Sequence, residues 1–159
     1  MPDSLSDGRT RVSWVGSIAN IAAPTVAELN AGTLLQSLMT PDGLVGFQPD
    51  TADVDNSALD STFDTKIAGR ASYSGTMLRL KKQTGTDTVY NLLARDTAGY
   101  VVVRRDVTSS TAWTAADKVE VYPAVIGEVR NLDPAPNEMH KYEVPIKISS
   151  EPRLRATVA

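Results

Sequence analysis

Apolar residues along this chain recur mostly at every second position, in short runs cut by Pro, Gly, Asp and Asn. That pattern predicts strands joined by turns. Strands are expected at Thr10–Val15, Phe47–Val54, Ala71–Lys82, Tyr100–Val103, Val119–Val129, Tyr142–Ile148 and Arg153–Val158. Pro49 favours an edge position, because proline has no N–H to give a ladder, and Pro123 predicts a kink. In Ala71–Lys82 the alternation puts Ser72, Ser74, Thr76, Leu78 and Leu80 on one face and Tyr73, Gly75, Met77, Arg79 and Lys81 on the other. No period holds from residue 32 to 46, which predicts a long loop around a Pro41-Asp42-Gly43 turn, and residues 56–69 are rich in turn formers. The polar residues 1–9 predict a flexible N-terminus.

Two stretches depart from the period of a strand. Thr25-x-x-Glu28 has the spacing of a capping box, so a helical turn is expected at Val26–Asn30, ending near Gly32. Between Thr86 and Ala94, Val89, Leu92 and Leu93 fall at i, i+3 and i+4, with Thr86 or Asp87 as the cap and Gly99 as the stop. A helix this short is unstable alone in water and must lay its apolar residues on the sheet it interrupts. The expected fold is therefore mainly β. It is a β-sandwich or barrel of about six to eight strands with one short packed α-helix and long inter-strand loops. One domain is expected across residues 1–159.

Composition narrows the function. The 159 residues are 42% hydrophobic and 22% charged, with a net charge of −3 and no cysteine. A disulfide framework and a thiolate metal site are excluded, and the chain is no polycation for nucleic acid. No apolar run approaches the roughly 18 residues of a membrane span, and the first residues lack the basic and apolar regions of a secretory signal, so no membrane association is expected. The single histidine, His140, lies beside a Pro-rich loop, and neither a G-x-S-x-G elbow nor a phosphate-binding glycine motif is present. Asp53, Asp55, Ser57 and Asp64 have part of the spacing of a calcium loop, but Ala58 stands where the sharp turn needs glycine. The residues predict neither an enzyme nor a cofactor.

Charge is segregated. Residues 42–64 hold Asp42, Asp50, Asp53, Asp55, Asp60 and Asp64 and no base; residues 66–86 hold Lys66, Arg70, Arg79, Lys81 and Lys82 and no acid. Two explanations stand: neighbours in the fold neutralise both blocks, or the blocks of different copies attract each other. On the second, Asp60 and Asp64 with Lys66, Arg70, Arg79, Lys81 and Lys82 are the candidate inter-subunit contacts.

PTVAELNAG (24–32), DGLVGFQPDTADVDNS (42–57), TFDTKIAGRASYSGTMLRLKKQ (62–83) and YEVPIKISSEP (142–152), in this order, resemble the major tail tube protein of long-tailed, non-contractile bacteriophages, most of all those of actinobacterial phages. The resemblance runs roughly from Val12 onward. It implies a virion protein, assembled in the bacterial host cytoplasm, whose partners are its own copies. Six would form a ring, and rings would stack into a tube around the tape measure protein, between tail terminator and distal tail proteins. DNA would pass through during ejection without specific binding. If each copy gave about four strands, roughly 24 strands about 4.8 Å apart and tilted about 40° would leave a bore of roughly 38 Å. Asp53 and Asp55 are the candidate lumen-facing residues, since no base lies among them and Val54 between them is expected to face the core. Glu120 on its strand is the competing assignment. The alternatives to a tube subunit are a tail terminator, the inner tube protein of a contractile tail, or a β-sandwich ligand-binding module.

Overall fold

The computed structural model describes residues 1–159. Its elements run β1 (Arg11–Val15), α1 (Val26–Asn30), β2 (Thr33–Leu34), β3 (Met39–Val45), β4 (Asp50–Asp55), β5 (Lys66–Ser72), β6 (Met77–Lys81), α2 (Thr88–Leu92), β7 (Ala98–Arg104), β8 (Lys118–Ile126), β9 (Arg130–Asn131), β10 (Lys141–Ile148) and β11 (Arg153–Thr157). Nine strands join one sheet in the order β2-β1-β7-β8-β10-β6-β3, with β11 added to β8 and β9 to β10; every pairing is antiparallel. The sheet curls because β10 serves two partners. Its residues 141–145 pair with β6, and its residues 146–148 pair with β8. Strands β4 and β5 form a separate two-stranded sheet.

Alternation along β7 and β8 explains the two cores. Val101, Val103, Tyr122, Ala124 and Ile126 point into the curl with Trp14, Leu78, Leu80, Tyr142 and Val144. Val102, Val119 and Val121 point the other way and pack with Leu29 of α1, Trp113, Ala156 and Val158. Both faces are covered, so Val101-Val102-Val103 is a continuous apolar run rather than an alternating one. Helix α1 starts as its capping box requires: Thr25 Oγ1 accepts the Glu28 amide at 3.2 Å, and Glu28 accepts the Thr25 amide at 2.9 Å.

Several sequence expectations are corrected. The segment 32–46 is not a loop but holds β2 and β3. Pro41-Asp42-Gly43 forms an irregularity inside β3, where the pairing with β6 jumps between Met39↔Leu80 and Leu44↔Leu78. A bulge of this kind destroys the period of two that would have revealed the strand. Gly99 does not stop a helix. It lies within β7 against the Trp14 indole, where a Cβ would sit 2.5 Å from Cζ2.

The second helix is shorter than Thr86–Ala94 and is capped by Asp87, whose carboxylate accepts the Tyr90 amide at 3.1 Å and the Gln83 amide at 2.8 Å. It covers the inside of the curl with Val89 and Leu93, which are 6% and 0% exposed, while Leu92 is 36% exposed. On so short a helix the i, i+4 pair defines the buried line and the i+3 residue turns to the rim. Tyr90 packs instead, edge-on to Tyr142 with centroids 5.0 Å apart. Leu93→Ala should therefore cost about 2–5 kcal/mol of stability. Leu92→Ala should cost well under half as much. Thermal melts of the two variants check this, and equal shifts would contradict the placement of the helix.

At one edge of the core a cationic cluster is buried. The Arg104 side chain is fully buried and pairs with Asp117 at 2.9 Å. It also donates to the carbonyls of Thr108, Thr111 and Ala112, pinning the 105–117 loop. Arg11 and Arg104 lie over the Trp113 ring at 5.0 and 5.1 Å. Burial pushes the Asp117 carboxyl up, but the Thr114 amide and hydroxyl and the Arg104 guanidinium outweigh it and hold it below the ordinary aspartate value.

Candidate functional site

The β4–β5 pair is an arm. It continues the β3–β6 ladder outward, and its strands pair only with each other. Every residue of both strands is exposed except the half-buried Gly69. The root is fixed by chemistry that only these residues supply. Phe47 and Tyr73 approach from the two sides and meet the Tyr122 ring edge-on, with centroids 4.9 and 6.0 Å apart. Thr76 Oγ1 donates to the Gly46 carbonyl at 2.7 Å. Gly46 has φ +72°, and a Cβ there would lie 2.5 Å from the Gly75 carbonyl oxygen, so no other residue fits the joint.

The arm has two unlike faces. Val54 and Ile67 oppose each other in register and therefore share a face; both are about half exposed, at 46% and 53%. The expectation that Val54 points into the core is thus corrected: alternation assigned its face, but nothing in the chain covers that face. Asp53, Asp55, Lys66 and Ala68 lie on the other face, where Lys66 Nζ bridges diagonally to Asp53 at 3.1 Å. Ser57, through its hydroxyl and its amide, holds the exposed Asp55 carboxyl below its ordinary value. At the tip, Asn56, Ser57 and Thr65 bond across the turn, while Leu59 and Phe63 project fully into solvent. The acidic side chains do not converge into a group that could hold a metal ion.

The charge blocks meet in part within one chain. Arg79 pairs with Asp42 at 2.8 Å and with Glu143 at 3.4 Å, and Lys66 pairs with Asp53. The Thr40 hydroxyl, with Arg79, lowers the Asp42 carboxyl. Lys82 lies over the Tyr90 ring at 4.8 Å. Arg70 and Lys81 have no carboxylate within 4.0 Å, and neither do Asp60 and Asp64 a cation. Glu120 is held by Arg105 at 3.2 Å and by the Tyr122 hydroxyl at 3.0 Å. Sequence reasoning missed the arm's apolar face, although Val54, Leu59, Phe63 and Ile67 recur in an otherwise polar stretch. It also missed the cations of Lys147, Arg153 and Arg155. These are exposed and unpaired, and they lie near a groove of ≈ 1210 Å³ between the arm root, β10 and β11.

The chain thus presents a mainly β body that carries an exposed two-stranded arm with one apolar face. The model of the phage tail tube protein family matches residues 1–159, and the chain belongs to that family. It is a structural component of the virion tail, not an enzyme. No curated protein is significantly similar to it in sequence. Among solved structures, a chain in the baseplate of the anti-feeding prophage, determined by cryo-EM with six-fold symmetry imposed, is similar with a TM-score of 0.60 and 9% identity over 96% of each chain. That likeness is one of fold.

Proposed function

We propose that the protein is the major tail tube subunit of a long-tailed, non-contractile phage, akin to those of actinobacterial phages. Six copies form a ring and rings stack into the conduit for DNA. The observation that carries this reading is the arm: a two-stranded hairpin is marginally stable in water and leaves two edges and an apolar face uncovered. In a tail tube family member, neighbouring copies are what covers them. The tape measure protein fills the tube before ejection, and terminator and distal tail proteins close its ends. The chain is made and assembled in the host cytoplasm. Sedimentation across a concentration series, with negative-stain images, tests this: rings or tubes are expected, and a strict monomer at every concentration overturns it.

The polar face of the arm is the proposed lumen lining, because its opposite face is the apolar one that needs cover. DNA must slide without sticking, and a cationic wall binds phosphates by releasing their counterions. Replacing Asp53 and Asp55 with Lys should leave tails intact and slow genome ejection. The slowing should be greatest at low salt, since phosphate contacts weaken steeply as salt rises. Ejection kinetics followed by dye uptake measure it, and unchanged kinetics with normal tails would remove both residues from the lumen.

A further inference from the structure

We propose that the tip of the arm, residues 56–65, seats on the β11 surface of the next copy. Phe63 and Leu59 enter the groove beside Leu154, and Asp60 and Asp64 face Arg153, Arg155 and Lys147. The inference rests on the self-assembly reading above and names the surface that receives the arm.

Charge points to this surface. From residue 56 to 65 the tip holds Asp60 and Asp64 and no base. In the basic block that follows it, Lys66, Arg79 and Lys82 are already engaged in their own chain, and the two cations left without a carboxylate, Arg70 and Lys81, do not line the groove beside Leu154. Lys147, Arg153 and Arg155 are exposed with no carboxylate within 4.0 Å, and only one unpaired acid, Glu151, stands among them. The other acid of the groove, Glu128, pairs with Arg95 at 3.7 Å, and Arg130 pairs with Glu143 at 2.7 Å. Opposed potentials of this kind set register and exclude wrong docking.

Apolar surface points to it too. Leu154 is 42% exposed between its two arginines, and Ile148 and Pro152 line the same groove. Leu59 and Phe63 are 105% and 75% exposed at the tip. Apolar anchors inside a charged rim are the usual anatomy of a protein interface. Strand β11 pairs as a strand only with β8, and its other edge is held just at its end, where the Thr157 amide donates to the Ala22 carbonyl at 3.2 Å.

Geometry makes the contact intermolecular. The groove is lined by the root of the arm, residues 71–77, whereas the tip lies a strand of six residues away. At about 3.4 Å per residue that is roughly 20 Å, and a paired strand does not fold back on itself. Tip and groove are different patches, so the contact is head-to-tail and propagates into a ring or a stack.

The chain has no cysteine, which makes the test clean. The Phe63→Cys, Leu154→Cys double variant, oxidised under assembling conditions, should give a ladder of covalent multimers that collapses on reduction. Each single variant should give nothing beyond a dimer. Rings or tubes of wild-type protein without a ladder in the double variant would overturn the docking while leaving the tube reading intact. A wild-type protein that never assembles would overturn both. A charge exchange provides a second measure should the cysteines themselves disturb packing. Arg153→Glu with Arg155→Glu should raise the concentration for half-maximal assembly about tenfold or more, as should Asp60→Lys with Asp64→Lys. Mixing the two variants should restore assembly through alternating copies, with tip-lysine on groove-glutamate at one junction and native tip-aspartate on groove-arginine at the next, and combining all four changes in one chain should recover most of the loss. A folded four-fold variant, judged by circular dichroism, that fails to recover would overturn the pairing.

Discussion

Asp117→Ala should lower the melting temperature of the unassembled protein by roughly 6–20 °C, from a cost of about 3–5 kcal/mol in a domain of this size. The variant leaves Arg104 fully buried with its counter-ion gone. Its three carbonyl partners neutralise no charge, so the guanidinium must draw in water or the 105–117 loop must open. Replacing both partners, as Arg104→Met with Asp117→Asn, should be milder than Asp117→Ala alone, because the fully buried Arg104 charge is removed with its counter-ion and Arg11 is the one cation left over Trp113. Glu128→Gln is the control. Its partner Arg95 and Glu128 itself are more than half exposed, and screening leaves such a pair with little or no net effect. The pH dependence has a definite sign. The Asp117 carboxyl is depressed in the fold, so its contribution is fully present above the unfolded aspartate value and is lost as pH falls through the folded one. Melting temperature should drop on acidification in wild type and less so in Asp117→Ala. Equal melting of all four proteins would show that the buried pair does not hold the loop.

Shortening the arm should have the opposite profile. Replacing residues 56–65 by Asn-Gly joins Asp55 to Lys66 through a two-residue hairpin turn and removes Leu59 and Phe63. The arm contributes nothing to either core, so the melting temperature should stay within a few degrees of wild type. Assembly should be lost: the variant should sediment as a monomer at concentrations where wild type forms rings or tubes. A shortened protein that polymerises normally would show that the tip is dispensable and that the free edges of the sheet alone drive association.

What the sequence made legible was local. The capping box of α1 and the alternation of β10 follow from neighbours a few residues apart, and the structure has them where expected; the single strand expected at Ala71–Lys82 is instead broken at the arm root into the end of β5, which begins at Lys66 within the stretch read as turns, and β6. Asp87 at the head of α2 is one of two caps the spacing allowed. What stayed hidden depends on partners distant in the chain. Strand β3 is masked because its Pro-Asp-Gly bulge is tolerated only where Arg79 and β6 receive it. Gly99 serves Trp14, 85 positions earlier, and helix punctuation was the wrong frame for it. Arg104 looks like the polar end of a strand; its burial depends on Trp113 and Asp117 across a loop with no pattern of its own. Val54 shows a further limit. Period two gave its orientation correctly, but an alternating strand carries no mark of whether its apolar face meets the core or open solvent.

The pairing of β1 with β7 has a consequence in time. Arg11 lies opposite Arg104, so the centre of the body closes only after some ninety intervening residues have been gathered. The arm, by contrast, pairs residues 50–55 with 66–72 across the intervening segment 56–65, so its contacts are all local. Hairpins of that kind form in about 1–10 μs, whereas β topologies rich in distant contacts take milliseconds to seconds. The arm's own ladder therefore pairs long before the surface of β11 settles on β8, although its root waits for Tyr122, and each newly made chain passes through an interval in which it has a hand but no socket. Subunits that meet in that interval have only mismatched apolar surface to share. Orderly growth of a tail is then a matter of sequence in time as much as of affinity: the body must finish before copies become crowded.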